Sequence, residues 1–402
     1  MHGLLSGRLG ALRFLLAGRK QNGIDQAARQ RSIFLIALVV IAALATLAQS
    51  GPWKLIEARA FDYLSTFLPP PIEADSPVIV AIDEPSFAEI GQQWPWPRSL
   101  HGDLVKALRD AGARAIGLDI IFAEPSSAAG ADAALAAALG PDVTLAGDET
   151  LIKSPQADQS MRVEPLPALL AGGARTGIAS VVLDNDGTLR RVPRYPDGFA
   201  AMLARSAGLT PTEVPAGALL QAYGPARSFQ TVSYYQALSP AEFLPKDFFR
   251  GRLVIVGLSM QSAPFADAGG PDSFATSFTL RSRHLVSGAE VQATVFQNIV
   301  HDQFVVPASP LVLVAVTLLA VLMAAAAIRR GTGWVTAVLA GVAIVISVGG
   351  SLAILHVAHV YVPPVAPALG FVAVAATQSA RDYAAERRQR RAVTRAFAQY
   401  LS

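Results

Sequence analysis

Four apolar runs without charge divide the chain. Ser32 to Trp53 contains SIFLIALVVIAALATLA, and Gln303 to Ile328 contains PLVLVAVTLLAVLMAAAAI. Gly331 to Leu355 contains WVTAVLAGVAIVISVGGSLAIL, and Val360 to Ala380 contains VAPALGFVAVAATQSA. About 20 apolar residues cross a bilayer as a helix, so each run predicts a transmembrane span. The fourth opens with Pro363, Pro364 and Pro367; proline is tolerated in a first turn, so that helix is expected to start near Pro364. Buried helices of a large soluble protein fit less well, because charges fall only at the ends of the runs.

Between the first and second runs the pattern changes to short buried strands and amphipathic helices. PVIVAIDE is a β-branched apolar run, RAIGLDIIF a second, and between them Leu100, Leu104, Ala107, Leu108 and Ala111 mark one helix face opposite Asp103, Lys106, Arg109 and Asp110. Strand, helix and strand at this spacing predict a βαβ unit and a sheet that is at least partly parallel. ADAALAAALG, VTLAGDE, DGFAAMLARSAG, RLVIVGLS and SGAEVQATVFQNIVHD continue the alternation. GIASVVLDNDGTLRRVP reads as a hairpin turning at Asp184-Asn185-Asp186-Gly187, and residues 261–283 read as loop. The fold class expected is an α/β sensor domain with a partly parallel mixed sheet, joined to four transmembrane helices.

The charges orient these pieces. The chain carries 33 Lys+Arg and 30 Asp+Glu; 19 and 27 of them lie between Trp53 and Ser309, leaving 14 basic against 3 acidic residues elsewhere. The basic residues cluster before the first run, at Arg329 and Arg330, and after the fourth run from Arg381 to Arg395. Basic segments stay cytoplasmic, and four crossings put all three clusters on one side. The expected division is a cytoplasmic basic amphipathic segment at 1–31, a first span at 32–52, an extracytoplasmic domain at 53–308, three spans at 309–380 and a cytoplasmic helix at 381–402. Residues 3–20 are expected to lie as an amphipathic helix on the inner membrane surface. The basic pI thus reports membrane topology, and no nucleic-acid partner is expected.

The chain has no cysteine, which excludes disulfide scaffolds and Cys-ligated metals. Asp83 and Asp119 lie at the C-terminal ends of their strands, where open α/β sheets bind ligands. Glu124 and Arg98 lie close by in sequence, so the four are candidates for a small polar or cation-binding pocket, with Asp83 and Arg98 expected to meet, directly or through a neighbour, at the C-terminal edge of the sheet. A structural ion pair with helix capping accounts for the same residues and is favoured. Trp94 and Trp96 could stack a ligand, but core packing is the favoured role. The DNDG turn lacks the acidic spacing of a calcium loop, and His356 and His359, the only histidines at ligand spacing, read as interfacial. Catalytic residues, metal ligands and cofactors are therefore not expected in this chain. No cyclase metal-binding aspartates, kinase ATP motif or Walker-type loop occurs in the 402 residues.

FDYL followed by VIVAIDEPSFAEIGQQWPWPRSLHGDLVKALRDAGARAIGLDIIFAEP resembles the signature of the second type of CHASE domain, the cyclase/histidine-kinase-associated sensory extracellular domain. DNDGTLRRVP, LVIVGLS, SGAEVQATVFQNIV and the three-span block follow in that family's order, over roughly residues 53–380. The segment 261–283 is longer than the family's pattern, so no role carries over to Asp267. The resemblance implies a receptor in the bacterial inner membrane, with an unknown periplasmic ligand or protein as its stimulus. Its output is expected to be a class III adenylate or guanylate cyclase, since the terminal RAFAQYLS is similar to the entrance of that catalytic domain; a histidine or Ser/Thr kinase and a stand-alone envelope scaffold are the alternatives. The family implies a homodimer. Val393, Phe397 and Tyr400 recur at 4 and 3 spacing on a helix free of Gly and Pro, which suits a parallel seam that transmits the signal to an output domain absent from these residues.

Overall fold

The computed structural model describes residues 30–153, 157–260, 272–330 and 334–400. The expected amphipathic helix at 3–20, Asp267 and Ser402 lie outside them. The chain forms two compact units: Phe61–Pro307 with Leu355–Tyr361, and the remaining residues.

The second unit is helical. It is built from α1 (Gln30–Leu47), the first part of α2 (Gly51–Ser65), and three helices at the far end of the chain, introduced below as α12 to α14.

The α/β unit is organised by a seven-stranded sheet. β1 (Val78–Ile82) leads to α3 (Glu84–Ile90) and α4 (Arg98–Asp110), then β2 (Ala115–Ile121), α5 (Ala131–Ala138) and β3 (Val143–Lys153). β4 (Asp158–Val163), α6 (Pro167–Leu170), β5 (Arg175–Ile178), β6 (Thr188–Leu189) and α7 (Phe199–Ser206) follow. After them come β7 (Thr231–Ser233), α8 (Tyr234–Leu238), α9 (Pro240–Phe243) and β8 (Leu253–Leu258). The path β4-β3-β2-β8-β1-β7 is parallel except for β4, which runs antiparallel along the outer half of β3; β5 pairs in parallel with its inner half.

Every residue of β1 is buried, because helices cover both faces of a parallel sheet. Val78, Val80 and Ile82 point to a core shared with α4, α5 and α8, and Ile79 to the opposite core against α7 and α11 (Gly288–Val300). Each such fully buried aliphatic side chain contributes about 1.5–3 kcal/mol.

Three local readings change. The buried face of α4 is His101, Gly102, Leu104, Val105 and Leu108, rotated from the expected one. Gly102 lets α5 approach, since a Cβ there would sit 3.2 Å from the Ala134 carbonyl, and His101 turns inward to bond Tyr234. The DNDG turn closes as expected, with the Gly187 N–H donating to the Asp184 carbonyl at 2.8 Å, but it does not join a hairpin. β5 belongs to the large sheet, while β6 pairs in parallel with β9 (Ser273–Thr276), which pairs in turn with β10 (Val286–Ser287). Within 261–283, read as loop, lie β9 and the short α10 (Thr279–Ser282). Alternation over four residues is too brief to register as a strand when its partner is distant in sequence.

At the base of this unit β11 (Val306–Pro307) pairs with β12 (Val360–Tyr361), and Phe61 meets Tyr361 edge to face at 5.1 Å.

In the helical unit, α12 (Pro310–Arg330) and α13 (Trp334–Ala358) are, with α1, the three described helices long and apolar enough to cross a membrane. α14 (Val365–Tyr400) is one continuous helix whose apolar half passes into the Arg-rich half. Ile33, Ile328 and Ala375 share one buried cluster, while Leu44, Leu313 and Ala366 share another. α1 therefore runs antiparallel to both α12 and α14. Arg381 donates to Ser32 at 2.8 Å, so the basic ends of α1 and α14 meet.

Candidate functional site

The C-terminal ends of β1, β2 and β3 open on a cavity of about 1370 Å³. Its wall includes five of the six residues expected to bind a ligand: Trp94, Trp96, Arg98, Asp119 and Glu124.

The sixth, Asp83, does other work. It is 2% exposed and caps α3: its Oδ1 accepts from the Ser86 N–H at 3.1 Å and the Ser86 hydroxyl at 2.6 Å. Its Oδ2 accepts from Ser233 Oγ at 2.7 Å, which ties β1 to the end of β7. Among the described residues Asp83 and Arg98 make no direct bond to each other. The Arg98 guanidinium donates to Asp132 and to the Glu124 carbonyl, and its charge lies over the Phe122 ring at 5.4 Å. A strand-end Asp followed by Glu-Pro-Ser fits an N-cap with Pro in the first turn; the cap takes one carboxylate oxygen and Ser233 takes the other.

The two tryptophans divide. Trp96 is 3% exposed, packs on Tyr234 with ring centroids 4.8 Å apart, and donates its indole N–H to the Gln92 carbonyl at 3.2 Å. Trp94 is 39% exposed and stands edge-on to Trp96 at 5.4 Å, on the cavity wall. His101 completes this end. Its Nδ1 shares a 2.9 Å hydrogen bond with the Tyr234 hydroxyl, and burial, with the nearby Arg98 charge, lowers its pKa to about 4. The imidazole is therefore neutral.

Carboxylates gather at the other end. Asp119, at the edge of β2, faces Asp272, and burial followed by the charge of Asp272 raises the Asp119 pKa. The Asp272 side chain is itself exposed. Gly288, at the first turn of α11, makes room: a Cβ there would lie 2.3 Å from Asp272 Oδ1. Asp148 accepts from Ser180 and Thr150, and Glu149 from Ser160 and Arg162. Sequence reading missed His101, Asp148, Glu149 and Asp272. Asp148 and Glu149 follow the apolar run VTLAG much as Asp119 follows AIGL, and that signal was available.

A second constellation lies apart from the cavity. Arg190, 2% exposed, donates from Nε and Nη2 to the two oxygens of Asp62, both at 2.8 Å. Its Nη1 reaches Asp184 at 3.1 Å and Asp186 at 2.8 Å, and Nη2 reaches the other Asp186 oxygen at 2.8 Å. Burial works against the charge, yet the bonds from Asp62, Asp186 and Asp184 outweigh it and raise the arginine pKa. The acidic turn is thus an arginine clamp that holds the FDYL end of α2. Among the described residues no group of three or more His, Cys, Asp or Glu side chains could hold a metal.

The chain thus joins a mostly parallel α/β sheet, with an open cavity at its strand ends, to apolar helices long enough to cross a membrane. Comparison with protein families matches residues 36–327 to the CHASE2 domain, and the chain belongs to that family, an extracellular sensory domain. Comparisons with curated proteins and with solved structures gave no match.

Proposed function

We propose that this chain is the sensor of a bacterial inner-membrane receptor that controls a cytoplasmic class III nucleotide cyclase. Residues 53–308 face the periplasm, four helices cross the membrane, and both termini are cytoplasmic. The observation that carries the reading is α14: its apolar half and its Arg-rich half are one unbroken helix from Val365 to Tyr400. A continuous helix can pass a shift or rotation from the membrane to whatever follows, as a flexible tether cannot. The antiparallel packing of α1 against α12 and α14 supports the topology, because it gathers the ends next to the three basic clusters. The fourth span is then Val365–Ala380. The receptor works as a homodimer with Val393, Phe397 and Tyr400 along the α14 seam, and the cavity on the β1–β3 strand ends receives the periplasmic stimulus.

The test joins a class III catalytic domain after Ser402 and measures cyclic nucleotide production in membranes. The proposal expects production to differ from that of the isolated catalytic domain and to shift several-fold in Trp94→Ala. Production equal to the isolated domain in every variant overturns it.

A further inference from the structure

Phe61, Pro307 and Tyr361, at which the chain enters or leaves the α/β unit, gather at its base. Phe61 stands edge-on to Tyr361, and Tyr361 is the register partner of Pro307. From Pro307 the chain runs on into α12, and from Phe61 it runs back through α2 to α1, two helices long and apolar enough to cross a membrane.

The surface that follows Phe61 is apolar. The Thr66 and Phe67 N–H groups donate to the Asp62 and Leu64 carbonyls, both at 3.3 Å, so the turn continues past Ser65 and sets Phe67 on the side of Tyr63. Both rings are exposed, and Leu68 is 71% exposed on a left-handed backbone, φ 59°, that residues with a Cβ avoid. Arg281 donates to the Thr66 carbonyl at 3.1 Å and so joins α10 to this turn. α10 and its cap add an exposed Leu280 and two exposed basic residues, Arg281 and Arg283.

Charge sets the patch apart. Trp53 to Ser309 carries 19 Lys+Arg against 27 Asp+Glu, yet both guanidinium groups here face water beside bulky apolar side chains. Asp62 is buried against Arg190, Asp75 is paired with His301 at 3.0 Å, and Glu73 lies beyond Pro69, Pro70 and Pro71. Aromatic and aliphatic tips flanked by arginine suit the boundary between lipid and water, where rings settle at headgroup level and arginine reaches phosphate.

We propose that this patch rests in the headgroup layer of the outer bilayer surface, with Tyr63, Phe67, Leu68 and Leu280 against the upper acyl carbons and Arg281 and Arg283 on lipid phosphates. The inference rests on the reading of α1 and α12 as membrane spans. A second copy of the chain fits less well, because a two-fold interface centred here sets each arginine pair against its own counterpart.

The chain has no cysteine, so a single introduced one reports its own surroundings. The full chain with Leu68→Cys or Leu280→Cys is labelled with a fluorophore and placed in vesicles of phosphatidylcholine, alone or with one-third phosphatidylglycerol. Quenching is read from lipids that carry a nitroxide on the headgroup or on the acyl chain. Val39→Cys on α1 reports the membrane reading, and Lys106→Cys on α4 reports water. Headgroup nitroxide is expected to quench the labels at positions 68 and 280 about threefold more than the label at 106. Phosphatidylglycerol is expected to strengthen that quenching, and the Arg281→Gln/Arg283→Gln double variant to lose the gain. If one labelled variant fails to fold, the other decides. Labels at 68 and 280 quenched no more than at 106, with position 39 quenched from the acyl chain, overturn the inference alone. An unquenched label at 39 overturns the membrane reading and the inference with it. Labels at 68 that quench one another between copies, but not against lipid, give the patch to a second copy and overturn it. Quenching indifferent to phosphatidylglycerol overturns the part assigned to the arginines.

Discussion

Arg190 and Asp62 lie 128 positions apart and meet in a two-pronged hydrogen bond, with both side chains at most 2% exposed. The pair fastens the last turns of α2 to the turn that carries Asp184 and Asp186. Bidentate geometry makes arginine specific here, because a lysine ammonium cannot present two parallel N–H groups to one carboxylate.

Breaking this pair removes the bidentate bond of a buried guanidinium, which after loss of Asp62 still keeps Asp184 and Asp186. Arg190→Ala, which removes the centre of the clamp, is expected to destabilise the α/β unit by about 3–5 kcal/mol, Asp62→Ala by less, and Arg190→Lys to recover only part of the Arg190→Ala loss. Chemical denaturation of the purified chain, followed by tryptophan fluorescence, measures this. A loss below about 1 kcal/mol in Arg190→Ala would mean the clamp contributes no more than an exposed ion pair.

Asp83 should behave as a structural residue. Its replacement by Ala removes the α3 cap and strands the donors of Ser86 and Ser233, at a cost of about 2–3 kcal/mol. Cyclic nucleotide production by the folded fraction, in the chain joined to a class III catalytic domain, should stay within twofold of the parent. A variant with normal unfolding but altered production would move Asp83 into the signalling site.

The Asp119–Asp272 pair sets a pH dependence of stability. The half-buried Asp119 carboxyl is raised above its ordinary value of 3.8 by burial and then by the charge of Asp272, whose own side chain is exposed. The folded state then holds a proton that the unfolded chain has released, so this contribution is present at acid pH and is lost as pH rises through the raised value. Unfolding measured from pH 5 to pH 8 should show stability falling, with a shallower slope in the Asp119→Asn/Asp272→Asn double variant. An unchanged slope in the double variant would place the pH dependence elsewhere.

Much of the fold was legible in the sequence because its signals are local. The β1–α4–β2 unit shows in VIVAI, in the helical spacing of Leu104 and Leu108, and in the apolar run of AIGLDII. The α3 cap could be suspected from Asp83 and Pro85. The clamp could not, since nothing within reach of Arg190 in the sequence points to Asp62. Asp272 was hidden for the same reason: its partner Asp119 is on a distant strand, and its neighbours read as loop. Charge balance also misdirected the pairing of Arg98. Asp83 and Asp132 both lie at helix beginnings, and only the packing of α5 beside α4 brings Asp132 to the guanidinium.

Topology has its own check. Reporter fusions at Ala146 and after Ser402 should give opposite compartments, because the basic ends of α1, α12 and α14 share one side. The same compartment at both sites would remove the fourth span.

In the proposed receptor α14 carries a change in the α/β unit through the membrane to an output. Two Gly residues inserted after Glu386, in the chain joined to a class III catalytic domain, test this lever. Glycine interrupts helix propagation at about 1 kcal/mol per residue and frees the backbone, while the flanking arginines keep their charge. The lever predicts that cyclic nucleotide production no longer responds to Trp94→Ala while expression and topology stay normal. A response of undiminished size in the insertion variant would show that the Arg-rich helix only anchors the fourth span.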